Sequence, residues 1–510
     1  MNQTIDTSLA ARRKPGSMAL VATAAAVSVV LAACSVGPDY KRPDAPVPQQ
    51  YKELAGWGSA APADSAPKGD WWKAFNDPLL DELEPQVGVS NQSVKQDYYN
   101  YEQALALVEE ARAGYFPTIG VTGAVTRSGG GGSSSAAAAA TGGSNVVSAG
   151  SLEGTASWTL DIWGKVRRQV EEAKAVAQSD EATLANATLS EQTLLATTVI
   201  ELRLADANID LEQKTVDEFK EALRIVAAQG QAGITATPPS AVITARVALE
   251  TAQADLTGLG VARAQFAHAI AVLVGKNPED LDIPYSTVIP ALPEIPVGVP
   301  STLLQRRPDI AAAERSMDAQ NAAVGVAIAA YYPTISLSAS DGFSQSPLDA
   351  LFRAANHVWS VGANGSETIF DFGAREGSVN AAKATYEASV ASYRQTVLSA
   401  FQAVENDLSG LRILKQQEEQ LRVAVKDAAD GARIALAEFQ AGTVDYTTVA
   451  TAQETLLSDQ QSLLNVQQSR LTDAVSLIGD MGGGWADNQL HDAGNPDKPP
   501  PGQARTAAAQ

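Results

Sequence analysis

The chain has 510 residues and a formal net charge of −21, from 37 basic and 58 acidic side chains. That balance leaves no basic footprint for nucleic acid. One cysteine and three scattered histidines (His268, His357, His491) argue against a disulfide framework, a metal site or a metal cofactor, and 6% aromatic content with abundant Ala favours long helices over a globular α/β enzyme.

Arg12, Arg13 and Lys14 precede a small-apolar stretch from Met18 to Ala33, the pattern of a secretory signal. It ends Leu31-Ala32-Ala33-Cys34-Ser35, which resembles a bacterial lipobox. Residues 1–33 are therefore expected to be a signal peptide, and Cys34, the chain's one cysteine, the lipid-modified (palmitoylated) first residue of the mature protein. The Pro-rich residues that follow cannot form a helix or a central strand. Residues 34–75 read as a lipid-anchored extended arm, and Trp71-Trp72 with Phe75-Asn76-Asp77-Pro78 opens a short helix.

From Asn91 to Ala113 the pattern is helical. Ile119, Val121, Gly123 and Val125 then alternate with Thr118, Gly120, Thr122 and Thr126, the period of a half-buried strand. A Gly/Ser/Ala loop is expected from Gly129 to Ser144. A return strand is expected through Glu153 to Ile162, long enough to cross a bilayer when tilted. Lys165 to Gln229 contains no proline and predicts a helix of about 100 Å. A turn at Gly230 to Ser240 and a helix to Val274 complete the first half.

After a Pro-rich joint the scheme recurs. A helix is expected over 309–330 and a strand from Ile335, with a loop from Asp341 to Asn356. The return strand has Trp359, Val361 and Ala363 on one side, with Glu367 as a blemish on that apolar face. The Pro-free run from Ala374 to Gln440 carries a seam from Val379 to Leu414 in steps of three and four, which is coiled-coil packing. A last helix is expected over 448–478, and the Gly- and Pro-rich residues from 482 are expected to be disordered. The recurrence is literal. Tyr115-Phe116-Pro117-Thr118-Ile119 returns as Tyr331-Tyr332-Pro333-Thr334-Ile335, 216 positions on, and Gln231-Ala232-Gly233 as Gln440-Ala441-Gly442, 209 positions on. Such fixed offsets mark a duplication. The expected organisation is a first repeat over 76–280, a joint over 281–308, a second repeat over 309–480 and a tail over 481–510.

No apolar run long enough for a membrane helix is evident beyond the signal segment. Four strands can enter lipid only as part of a closed barrel, and about eight is the practical minimum. Several chains must then share one barrel, and three would supply about twelve strands. Tyr115, Phe116, Trp163, Tyr331, Tyr332, Phe370 and Phe372 all fall at helix–strand junctions, as an interfacial girdle would. A barrel continued by long helices is a tube.

The chain also resembles the outer membrane factor family of the TolC type. The matching residues are Val36-Gly37-Pro38-Asp39-Tyr40-Lys41-Arg42-Pro43, Trp71-Trp72 with Phe75-Asn76-Asp77-Pro78, and Pro300 to Ile310 with Ala313-Glu314. Both Tyr-aromatic-Pro-Thr-Ile phrases and Ile369-Phe370-Asp371-Phe372-Gly373 also match. The resemblance implies a mainly α protein with a small β part. Its duplicated helix–hairpin–helix repeats would form, as a homotrimer, a 12-stranded outer membrane β-barrel continued by a periplasmic α-helical barrel. It implies a passive gated efflux duct with a periplasmic adaptor and an inner membrane pump of the resistance-nodulation-division type as partners, and outer membrane lipid around it. The turns at Gly233 and Gly442 would be the closed tip that meets the adaptor. The family's second turn often continues Asp-Ala-Gln-Arg where this chain has Thr451-Ala452-Gln453-Glu454. The gate candidates are therefore Asp445, Tyr446 and Glu454, with Arg246 as cationic partner. A duct for protein secretion and a non-conducting periplasmic scaffold are the alternatives. No catalytic motif or phosphate loop is evident.

Overall fold

The computed structural model describes residues 35–53, 69–129, 146–231, 239–293, 295, 303–345, 348–485 and 490. In chain order the main elements are α1 (Pro78–Ser90), α2 (Gln92–Ala113), β1 (Thr118–Gly129), β2 (Val146–Thr159), α3 (Lys165–Gln231), α4 (Pro239–Leu273), α5 (Pro308–Ala329), β3 (Thr334–Gln345), β4 (His357–Ser366), α6 (Ala374–Gln440) and α7 (Tyr446–Asp480). The duplicated helix–hairpin–helix scheme is therefore present. α3 and α6 have 67 residues each, or about 100 Å of helix at 1.5 Å per residue.

The chain divides into two compact units. The first comprises Met1–Lys41, Ala106–Ala175 and Met317–Ala388, and the second Arg42–Leu105, Val176–Ser316 and Ser389–Gln510.

The first unit holds one antiparallel sheet in the order β1-β2-β3-β4, so β1 and β4 are both edges. Three sequence expectations are corrected here. β2 stops at Thr159 although the alternation runs on to Ile162. Asp161 instead accepts the Val166 and Arg167 amides at 2.8 and 3.0 Å and so satisfies open donors at the start of α3. β3 continues through Asp341-Gly342 to Gln345 where a loop was expected, pairing Asp341 with Trp359. Glu367 lies just beyond β4 and pairs with Arg375 at 3.0 Å, so no carboxylate interrupts the apolar face of that strand. The start of the arm is tied down in this unit. Arg168, 3% exposed, donates to the Val36 and Gly37 carbonyls and to Asp39. Gly37, at φ +99, lies so close to Gly325 that an added Cβ would sit 2.6 Å from its Cα. A side chain at Gly37 would push the two backbones apart, and one at Gly325 would run into the Arg168 side chain, 2.9 Å away.

In the second unit the α6 seam is real. Val390, Tyr393, Val397, Ala400, Val404, Leu408 and Leu411 are all buried. Asp77 opens α1 by accepting the Leu79 amide at 2.7 Å, and Pro78 stands where a helix has a spare donor. The same carboxylate meets Arg203 of α3 at 2.9 Å with both side chains buried. Asp206, fully buried, accepts from Arg263 of α4 at 2.6 Å and from the Ser286 amide at 2.9 Å, which fastens the joint. Glu418 of α6 accepts from Arg422, Gln467 and Arg470, tying α6 to α7.

Two further corrections belong to this unit. α4 is long and apolar enough, by length and composition, to cross a membrane. Ala and Val spread along it raise its hydropathy, although Arg246, Glu250, Asp255 and Arg263 interrupt any continuous apolar run. Residues 481–485 are ordered, and the rest of the expected disordered tail, residue 490 apart, lies outside the described residues. Gly482 (φ +93) closes a turn in which the Trp485 amide reaches its carbonyl at 2.8 Å.

Candidate functional site

Strand register sorts the sheet into two faces, because residues paired across antiparallel strands share a face. One face is apolar. It carries Ile119, Val121 and Val125 on β1, Leu152 and Trp158 on β2, Leu337 on β3, and Trp359 and Val361 on β4. All eight are exposed. The other face carries Thr118, Thr122 and Thr126, then Thr155 and Ser157, then Ser336, Ser338 and Ser340, then Ser360 and Asn364. The Ser340 and Ser360 hydroxyls lie 2.9 Å apart on it. The strands have 12, 14, 12 and 10 residues, enough to cross a bilayer at a tilt.

The junction aromatics lie at the end of this sheet where the chain enters and leaves it. Trp163 stacks on Tyr332 with ring centres 5.0 Å apart and donates to the Pro333 carbonyl at 2.8 Å. Phe370 and Phe372 meet edge to face at 4.4 Å. Phe116, Tyr331, Tyr332, Phe370 and Phe372 are exposed, while Tyr115 and Trp163 are half-buried. Two participants were not singled out from the sequence. Trp158 donates to the Tyr115 carbonyl at 3.0 Å, and Arg375 lies over the Tyr331 ring at 5.3 Å. An Arg at the start of α6 was the available signal for the second.

The turn between α6 and α7 forms the other predicted site, in the second unit. Gly442 adopts φ +74, with its amide donating to Phe439 at 2.9 Å. Asp445 is the N-terminal flanking residue of α7 and is exposed, as are Glu454 and Arg246. Tyr446 differs. It is 2% exposed, packs edge to face on Phe439 at 5.7 Å, and joins a core of Val226, Ala245, Val449 and neighbours. Burial, then the Glu454 charge, raises its hydroxyl pKa. Tyr446 thus holds the turn together, and the structure does not bring Asp445, Glu454 and Arg246 into ion pairs with one another. Gly233 and Cys34 lie outside the described residues. No group of three potential metal ligands occurs among the described residues.

A long antiparallel sheet with a bare apolar face and two open edges, joined to helices of this length, is the fold of an outer membrane channel protein. The sequence profile of the outer membrane efflux protein family matches residues 85–276 and 299–483. The chain belongs to that family. It is 30% identical over 464 residues to the probable efflux pump outer membrane protein TtgC of Pseudomonas putida, covering 90% of this chain and 95% of the relative. It is 28% identical over 466 residues to the cation efflux system protein CusC of Escherichia coli, covering 90% and 97%. The solved structure of the MtrE outer membrane channel of Neisseria gonorrhoeae superposes with a TM-score of 0.76 at 26% identity, covering 88% of this chain and 98% of that one. The chain is accordingly an outer membrane protein.

Proposed function

We propose that three copies of this chain form a passive, gated duct that exports drugs or other small molecules. A periplasmic adaptor and an inner membrane pump, of the resistance-nodulation-division type, would feed it. The observation that carries this reading is the sheet. Its apolar face is exposed and both edge strands lack a partner among the described residues, and an open edge is not tolerated in lipid. Pairing β4 of one copy with β1 of the next removes every edge, and three copies give about twelve strands. Exposed apolar side chains on the helices, Ile243 and Val247 of α4 with Val423 and Ile434 of α6, support the same assembly because neighbouring copies would cover them. The relatives' efflux roles support the direction of transport.

In this reading the seven junction aromatics mark the periplasmic membrane surface, and Cys34 carries the lipid on an arm over 34–75. The repeats over 76–280 and 309–480 contribute equivalent hairpins across the joint at 281–308. The turns at Gly233 and Gly442 meet the adaptor, and Asp445 with Glu454 supplies the carboxylates that close the tip. A protein-secretion duct would share this architecture and differ in its pump. A scaffold would be held only by its lipid. A Cys34→Ala variant separates either duct from the scaffold: a duct stays in membranes washed with alkaline carbonate, and release of the variant into the wash would contradict membrane insertion.

A further inference from the structure

The polar face of the sheet is nearly free of charge. Across β1 to β4 it consists of Thr, Ser, Asn, Gly, Ala and Val, and register adds one charged side chain, Glu153 of β2. Glu153 pairs with Thr122 on one side and Gly342 on the other. Neither neighbour can neutralise it. The carboxylate makes no hydrogen bond or ion pair among the described residues, and the side chain is half-buried. Gly342 is needed there, because a Cβ on it would stand 2.7 Å from the Glu153 Cα. The position opposite the carboxylate is thus left without a side chain. The connection between β1 and β2, residues 130–145, contains no charged residue in sequence. No cation from that loop can compensate.

We infer that Glu153 sets the ionic preference of the β-barrel lumen, favouring cationic over anionic solutes at that level. The inference rests on the three-chain duct proposed above. With three copies, threefold symmetry places three carboxylates at one height on a wall otherwise made of hydroxyls and amides. Rings of carboxylates favour cations and resist anions. The field of such a ring reaches about 10 Å at 0.1 M salt and about 3 Å at 1 M. It therefore acts across a good part of the lumen in dilute salt and little in concentrated salt. This site is separate from the carboxylates proposed to close the tip: it selects by sign without narrowing the path.

The test is reversal potential in planar bilayers under a KCl gradient, with the full-length protein carrying Asp445→Ala and Glu454→Ala so that tip carboxylates do not compete. In that background Glu153→Gln is expected to lower the cation-to-anion permeability ratio severalfold at 0.1 M salt, with the difference fading at 1 M. Glu153→Lys is expected to move the preference towards anions. Spermine added on the side exposed to the cell exterior is expected to block the parent channel and to lose that block in both variants. Conductance with selectivity and block unchanged in both variants would overturn the role of Glu153 while leaving the duct intact. Absence of any conductance from correctly folded parent protein would overturn the duct, and this inference with it.

Discussion

Asp77 and Arg203 stand 126 positions apart and meet in the buried interior at 2.9 and 3.3 Å. Removing one partner of such a pair leaves an uncompensated charge, which costs about 3–5 kcal/mol. Asp77→Ala is therefore expected to lower the thermal midpoint sharply, and the apolar double variant Asp77→Leu/Arg203→Met to recover most of the loss. Equal midpoints for the single and double variants would refute that account. Glu84 of α1 is the opposite case. It is fully buried, neither carboxylate oxygen has a partner among the described residues, and burial pushes its pKa up to about 9. An unfolded Glu titrates near about 4.3. Between those values the folded protein holds the extra proton, so Glu84 lowers stability progressively as pH rises through the window. Glu84→Gln removes the titration. Its thermal midpoint relative to the parent is expected to rise from pH 5 to pH 9, and a constant difference would contradict the assignment.

At the scale of the element, the two faces of the sheet predict opposite tolerance. Val361 lies on the exposed apolar face of β4 and Ser338 on the polar face of β3. A lysine on the lipid side of a barrel costs about 2–4 kcal/mol near the midplane, whereas lumen positions accept charge. Val361→Lys is expected to reduce assembly of heat-resistant oligomers on cold gels, with Ser338→Lys assembling normally; equal yields would reverse the assignment of faces. Much of this was readable beforehand, and the misreadings have physical causes. The Pro-free run bounded by Gly373 and Gly442 matches α6, because both of those glycines adopt positive φ, +90 and +74, just outside it, whereas Gly377, Gly410 and Gly431 stay within the helix. The end of β2 was misplaced because Leu160-Asp161-Ile162 keeps the alternating period while Asp161 serves as a cap. The extent of β3 was misplaced because Asp341-Gly342 has turn chemistry, yet pairing with Trp359 and Val358 holds it in the sheet. Tyr446 counts as a gate candidate in the sequence because it follows Asp445 at the turn, whereas its packing on Phe439 depends on the tertiary turn. The Asp77–Arg203 pair could not be read at all, since nothing local links residues so far apart.

At the scale of the whole molecule, one chain is an incomplete object. Its sheet presents exposed apolar side chains and two open edges, and its helices expose rows of Val and Ile. Each deficit is removed by copies of the same chain, and the closed assembly has a polar interior of hydroxyls. A passive duct needs no nucleophile, metal or bound cofactor; it needs a continuous wetted path and a closure. The wetted path is supplied by the polar face, and the proposed closure by Asp445 and Glu454 at the start of α7. The most direct measurement is single-channel conductance of the purified oligomer in planar bilayers, parent protein beside Asp445→Ala/Glu454→Ala. The account predicts discrete, small steps from the parent and larger steps from the double variant; folded oligomers of both forms that pass no current would contradict it.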